Sequence, residues 1–285
     1  MKKVLFILLA MAGTGKGFAQ NDTTIVSIDK KEGGDTIRVG SMVIVRNGKP
    51  GNYSGDNNTY HYYRNSFYRK NIKTDFLVFD MGYAGINDKT DYSSAEAQDF
   101  LHDQGGKPAT AGDYSIKGAR ISNFNLWFFM QQMNVYKHYV NLKYGIGIEW
   151  NNYYYKTPIT YVDGGEPYTI RDTVSFSKNK LAANYLTVPL MVNFNTHPGK
   201  RHGGLQVSFG VSAGFLIDAK TKQISDERGK VKNKTDFNLE QWKLAYVGEL
   251  GIGFVKLYGS YSMTPLHKYG LDQYPWTVGV RLNAW

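Results

Sequence analysis

The side chains able to do acid–base or nucleophilic chemistry are few and scattered. The chain has six histidines (His61, His102, His138, His197, His202 and His267) and no cysteine. Lipid hydrolysis or acyl transfer needs a nucleophile, usually Ser, with a His base within hydrogen-bond reach. None of the six sits in a recognisable motif. His102 and His267 fall in long polar links, and His197 and His202 flank a shorter one at a spacing that makes a poor metal site. Each reads as a surface or interface residue. The expectation is a protein that is not an enzyme, with a lipid-modifying enzyme as the alternative. Without cysteine there is no disulfide framework, a structural zinc site is disfavoured, and no cofactor is expected.

The second chemical feature is charge. The formal net charge is +10 and the pI is near 9.4. One link is strongly basic: Lys220, Lys222, Arg228, Lys230, Lys232 and Lys234 stand against Asp218, Asp226, Glu227 and Asp236. Such a loop could meet lipopolysaccharide phosphates; a solvated loop that serves only solubility is the competing reading. Nucleic acid is not expected as a partner, because the excess is spread over several loops and no binding motif accompanies it.

A third set of charges is placed by periodicity. Residues 139–152 read YVNLKYGIGIEWNN, with apolar Val140, Leu142, Tyr144, Ile146, Ile148 and Trp150 alternating with polar or small residues. Alternation of period two gives a strand one apolar face and one polar face. It runs longer here than the ~5–6 residues usual in soluble sheets, and reaches the ~9–11 needed to cross a bilayer at a tilt. The pattern returns at 186–195, 205–218, 243–254 and 276–283, and more weakly at 75–86, 122–134 and 256–264. These eight segments put Asp80, Lys143, Glu149, Lys243, Glu249 and Arg281 on the polar face. An eight-stranded barrel has an interior that side chains fill. Mixed charges there predict a paired polar plug, because an unpaired buried charge costs several kcal/mol or more; a narrow polar path or proton relay is the alternative.

The links alternate in length. Those near 134–137, 196–203 and 255–256 are short; those at 87–118, 156–180, 219–237 and 265–273 are long. Short periplasmic turns alternating with long external loops are the habit of outer-membrane barrels. Tyr and Trp gather near strand ends, as at Tyr136, Tyr139, Trp150, Tyr153–Tyr155 and Trp276, where a headgroup boundary would hold them. The fold expected is all-β: an eight-stranded antiparallel up-and-down transmembrane β-barrel with a polar, plugged interior.

The N-terminus supplies an export signal. Lys2 and Lys3 precede an apolar run at 4–12 (VLFILLAMA), too short to span a bilayer, and Gly17-Phe18-Ala19 places small residues for cleavage after Ala19. Removing residues 1–19 takes away Lys2, Lys3 and Lys16 and lowers the charge from +10 to +7. Residues 20–73 read as a partly ordered periplasmic segment, with one candidate strand at 36–46, and 74–285 as the barrel. Within the first long link, 93–102 (SSAEAQDFLH) reads as a short helix capped by Ser94, with Ala97 at the third position and so no capping box.

Four stretches carry a resemblance: KHYVNLKYGIGIEWNNYYY (137–155), NYLTVPLMVNF (184–194), GVSAGFLIDAKTK (210–222) and YGSYSMTPLHK (258–268). They resemble the outer-membrane β-barrel family common in Bacteroidetes, including its PorT-like group. The resemblance covers most of the second half of the chain. It implies export, an eight-stranded barrel in the bacterial outer membrane, and contact with outer-membrane lipid, lipopolysaccharide and the barrel assembly machinery. It leaves three roles open: a structural or loop-contacting barrel, a component of an envelope secretion or assembly machine with a protein partner, and a lipid-modifying enzyme. A soluble lipocalin-like carrier is a further alternative, with the apolar residues inside. One departure is the terminal Trp285, out of phase with Val278, Val280 and Leu282. Either Leu282 takes the place of the terminal aromatic, or the last strand carries a bulge.

Overall fold

The period-two segments all form strands. A computed structural model describes residues 27–31, 34–39, 42–46, 70–103, 105–118, 121–162, 168–198, 204–252 and 255–282. The chain divides into two units, Met1–Ser66 and Phe67–Trp285. The expected signal peptide and cleavage site lie outside the described residues, as does most of 20–73. Within the first unit, β1 (Ser27–Lys31), β2 (Gly34–Val39) and β3 (Met42–Arg46) form an antiparallel sheet. The candidate strand at 36–46 is thus parts of two strands, turning after Val39.

In the second unit eight strands close into a hydrogen-bonded ring: β4 (Ile72–Asp88), β6 (Asn123–Tyr136), β7 (Val140–Tyr154), β10 (Lys178–Asn195), β11 (Leu205–Ser225), β13 (Trp242–Ile252), β14 (Val255–Ser262) and β15 (Gln273–Leu282). Each pairs antiparallel with the next. The last returns to the first through a register running from Gln273↔Asp88 to Leu282↔Phe79. No register shift interrupts β15 in either pairing, so the bulge considered for the last strand is absent from its described part; Leu282 faces outward, and Trp285 lies outside the described residues. At this seam Gly82 sits opposite Gly279. A Cβ on Gly82 would collide with the Val278 carbonyl, so the closing strands approach through the absence of side chains.

The ring has an apolar outside. Phe209, Tyr246, Val211, Leu244 and Val278 project outward, with Phe209 58% and Tyr246 59% exposed. The alternate positions are buried and largely polar. On β7 the outward face runs from Val140 to Trp150. Ten steps of ~3.3 Å at a tilt of ~40° rise ~25 Å, the height of an outer-membrane apolar band. Tyr136 and Tyr139 mark the short-turn end of that span, and Trp150, Trp242 and Trp276 the other.

Two irregularities change the phase of the alternation. Leu77 has φ 51° and, with Phe128 opposite, leaves the β4–β6 register, so that Phe76 and Leu77 both point out. On β11 the register with β10 shifts at Asn184/Tyr185, leaving Ile217 as the extra residue. Beyond this bulge the even positions of β11 turn outward and the odd ones inward.

The second and third long links are shorter than expected, and the long links carry secondary structure of their own. β10 and β11 continue well past the ring, and β12 (Gly229–Lys234) pairs with the β11 extension. The first link holds α1 (Ala95–Phe100), whose N-cap Ser94 accepts a hydrogen bond from the Ala97 amide. It continues into β5 (Leu101–His102), which pairs parallel with β9 (Tyr168–Arg171); β8 (Ile159–Val162) completes that small sheet.

Candidate functional site

Three regions hold the residues of chemical interest. The first is inside the ring, where the charges of the polar face meet. Arg281 on β15 donates from Nε to Asp80 Oδ1 at 2.7 Å and from Nη2 to Asp80 Oδ2 at 2.7 Å. Its Nη1 reaches Glu249, which also accepts from Lys143. Lys243 pairs with Glu149. Trp127 Nε1 and Asn125 Nδ2 donate to Asp80 Oδ2 at 2.7 and 3.2 Å, so the carboxylate is satisfied on both oxygens. The guanidinium lies 5.3 Å from the Trp127 ring centroid and 5.8 Å from that of Tyr258. The six groups are all buried, three acids against three bases. Towards the short-turn end Asn193, held by Gln132, Asn141 and Ser208, continues the network. Beside the ion pairs the ring encloses a cavity of about 20 Å3, bordered by Trp127, Glu149, Met191, Glu249 and Arg281. That is room for roughly one water.

The second region is the long-loop end, where four links far apart in sequence share one apolar core. Phe100 comes from the first, Ile159 and Tyr161 from the second, Phe237 and Leu239 from the third, and Leu266 and Leu271 from the fourth. They pack on Tyr153, Leu181 and Tyr185 from the strands below. Charge-assisted hydrogen bonds latch the links together. Arg171 holds Asp113 through two nitrogens at 2.7 and 2.8 Å, and also the carbonyls of Lys107 and Pro108. Burial would raise the Asp113 carboxyl, but the bonds from Arg171 and Thr110 outweigh it and keep it below the ordinary value of 3.8. Arg228 grips Asp172 in the same bidentate way, at 2.6 and 3.0 Å.

His267 sits in this core, and here the surface reading needs correction. It is 1% exposed, with Nε2 3.0 Å from the Tyr161 hydroxyl, which in turn meets Tyr155 at 2.8 Å. Burial depresses its pKa from 6.5 to about 3, only partly offset by Asp88, so the ring is neutral. Its ring stacks on Tyr161 and meets Phe100 edge-on. Among the described residues its side-chain hydrogen-bond partner is a tyrosine rather than a serine, threonine or cysteine. The sequence signal for this was weak: one His in a polar link, with no local pattern. His102 is exposed and lies over Tyr168 at 4.3 Å between ring centroids. His197 shares a hydrogen bond with Thr196 at 3.1 Å. His61 and His202 lie outside the described residues. Among the described residues no group of three or more His, Cys, Asp or Glu side chains could hold a metal ion.

The third region is the basic link. It is a hairpin rather than a loop: Lys220 pairs with Lys234 and Lys222 with Lys232 across β11–β12. Five of the six basic residues, Lys220, Lys222, Lys230, Lys232 and Lys234, share the outward face. Arg228 does not join them, being spent on Asp172. The bulge at Ile217 puts Asp218 on the outside, where Lys234 reaches it at 2.8 Å and Lys220 at 3.3 Å.

No family model matches this chain, and no curated protein matches it. Among solved structures it is similar to Ail, the attachment invasion locus protein of Yersinia pestis, at 10% identity, over 73% of this chain and 98% of that one, with a TM-score of 0.27.

Proposed function

We propose that this chain is a non-enzymatic β-barrel of the bacterial outer membrane, exported by its N-terminal signal and closed to solutes by its own side chains. It acts structurally or by contacts made through the long-loop end. The observation that carries the reading is the inversion of the ring: large apolar side chains outside, three acids paired with three bases inside. In water that arrangement would leave an apolar belt exposed all round, far above the few hundred Å2 usual for a soluble surface. A lipocalin-like carrier would have the opposite sidedness. Buried ion pairs inside the ring favour a scaffold over a pore. The latched loops offer a rigid outward surface for lipopolysaccharide or a protein partner, with residues 74–285 as the membrane body and 20–73 on the periplasmic side. Planar-bilayer recording tests the closed interior. The purified protein should insert without steady conductance; a stable open channel would overturn that part of the reading.

A place in an envelope secretion or assembly machine, as the PorT-like resemblance implies, is the second reading. It is favoured by the separate N-terminal unit with its own three-stranded sheet. Pull-down from detergent-solubilised envelopes should then yield a partner that is lost when residues 20–66 are deleted.

A further inference from the structure

The outer wall above the aromatic row of β7 changes character within a few residues. Reading across strands, Leu126, Ile148, Leu186 and Phe215 form an apolar row. The next outward row towards the long-loop end is Phe124, Trp150, Asn184 and Asp218. Above it come Asn152, Ala182, Lys220 and Lys234, and then Tyr154, Lys180, Lys222 and Lys232. Lys178 continues the β10 column and Lys230 the β12 column, on either side of their shared cross-strand partner Ile224. The lysines therefore occupy a wall of adjacent strands, directly above a row suited to the edge of the apolar band.

This wall is undercompensated. Asp218 answers Lys220 and Lys234, and Lys180 rests on Asn152 Oδ1 at 2.6 Å. Lys178, Lys222, Lys230 and Lys232 make no ion pair with any described carboxylate. Between the aromatic row and the lysines lies a shallow, open groove of about 360 Å3, lined by Phe124, Trp150, Asn152, Lys180, Ala182, Asn184 and Lys220. Its lower lip is apolar and its upper lip cationic, as a lipid headgroup requires: acyl chains on the strands below, anionic oxygens above.

Spacing narrows the ligand. Neighbouring strands lie ~4.8 Å apart, so Lys180, Lys222 and Lys232 span ~10 Å sideways, and successive outward rows are ~7 Å apart. One phosphodiester fills one such gap; two rows of cations match a headgroup with phosphates at two positions. We infer that the outer wall of β7, β10, β11 and β12 binds a lipid whose headgroup carries two or more phosphates, seated in the Trp150–Lys180–Lys220 groove under the β11–β12 lysines. The inference rests on the membrane reading above. It names which surface, and which lipid chemistry, the earlier basic set serves: Lys178 and Lys180 join it, and Arg228 leaves it.

The test uses the full chain in phosphatidylcholine nanodiscs, with folding checked by heat-modifiable electrophoretic mobility. Retained lipid is measured by native mass spectrometry against added diphosphoryl lipid A, monophosphoryl lipid A, phosphatidylglycerol and inorganic pyrophosphate. The diphosphorylated lipid should bind at least tenfold more tightly than either other lipid, and weaken with salt, as surface charge pairs do. Inorganic pyrophosphate should not compete at matched concentration. K180Q/K222Q/K232Q should lose at least tenfold, while K107Q/K117Q/K156Q, with the same charge removed elsewhere, should not. D218N should bind more tightly, since it frees Lys220 and Lys234. Equal binding of all lipids, or of both triple variants, overturns the site while leaving a folded, inserted barrel intact. Failure to insert at all would instead overturn the membrane reading, and the site with it.

Discussion

Arg281→Met is the perturbation to which the interior should respond most. Arg281 is 4% exposed in its side chain and Asp80 0%, and two guanidinium bonds join them. Removing one partner of a buried pair costs ~3–5 kcal/mol, because the other charge stays buried without its counter-ion. Met is flexible enough to fill the space without new polar demands. Glu249 keeps Lys143, and Asp80 keeps Trp127 and Asn125, so the variant should still fold. The loss is roughly two to three and a half decades in the folding constant, at 1.4 kcal/mol per decade. Asp80→Asn added to Arg281→Met removes the orphaned charge, so the double variant should be more stable than the sum of the single effects by at least ~1 kcal/mol. The assay is urea unfolding of protein refolded into vesicles, followed by tryptophan fluorescence and heat-modifiable mobility. If the two substitutions add within ~0.5 kcal/mol, the pair is not coupled and the account of the interior is wrong.

Three further outcomes are expected. Val211→Lys puts a charge on the outward face and should cost ~2–4 kcal/mol near mid-bilayer, read as slowed or failed insertion; the same change at exposed Asn233 should be silent. Gly82→Val should block closure at the β4–β15 seam and yield protein that lacks the compact, heat-modifiable form, whereas Gly229→Asn, at a hairpin turn with φ +63°, should not. The long-loop end should loosen in acid. His267 has a pKa of about 3 when folded against 6.5 when unfolded, so between those values the unfolded chain binds a proton that the folded one refuses. Its contribution is complete above pH 6.5 and is lost as pH falls towards 3. Asp113 and Asp172, held below 3.8, add a loss of the same sign at lower pH, while Asp88 opposes the His267 shift. Amide exchange in residues 155–162, 168–171 and 263–272 should therefore speed up below pH 6, and His267→Phe should remove the part of that dependence above pH 4.

The eight strands were legible because the side-chain period of a strand is written directly in the sequence. It put Asp80 and Arg281 on one face, and they meet although 201 residues separate them. What the alternation does not carry is its own interruption. The bulge at Ile217 turns Asp218, Lys220 and Lys222 outward, and nothing in FLIDAKTK marks the extra residue. The irregularity at Leu77 and Phe128 is silent for the same reason, since both neighbours are apolar. The core of the long-loop end was illegible for a different cause. Phe100, Tyr161, Phe237 and His267 lie in apolar fragments too short to show a period, and only the ring brings their four links together. Arg228 looked like one more cation in a basic run; its carboxylate partner, Asp172, is 56 residues away.

The claim on which the rest depends is that the ring stands in a membrane with its apolar side to the lipid. Alkaline carbonate or urea washing of membranes from cells expressing the full chain tests it most directly. The account predicts that the protein stays in the pellet, needs detergent for release, and then migrates faster unheated than boiled. Release into the aqueous wash, without detergent and in folded form, would contradict it.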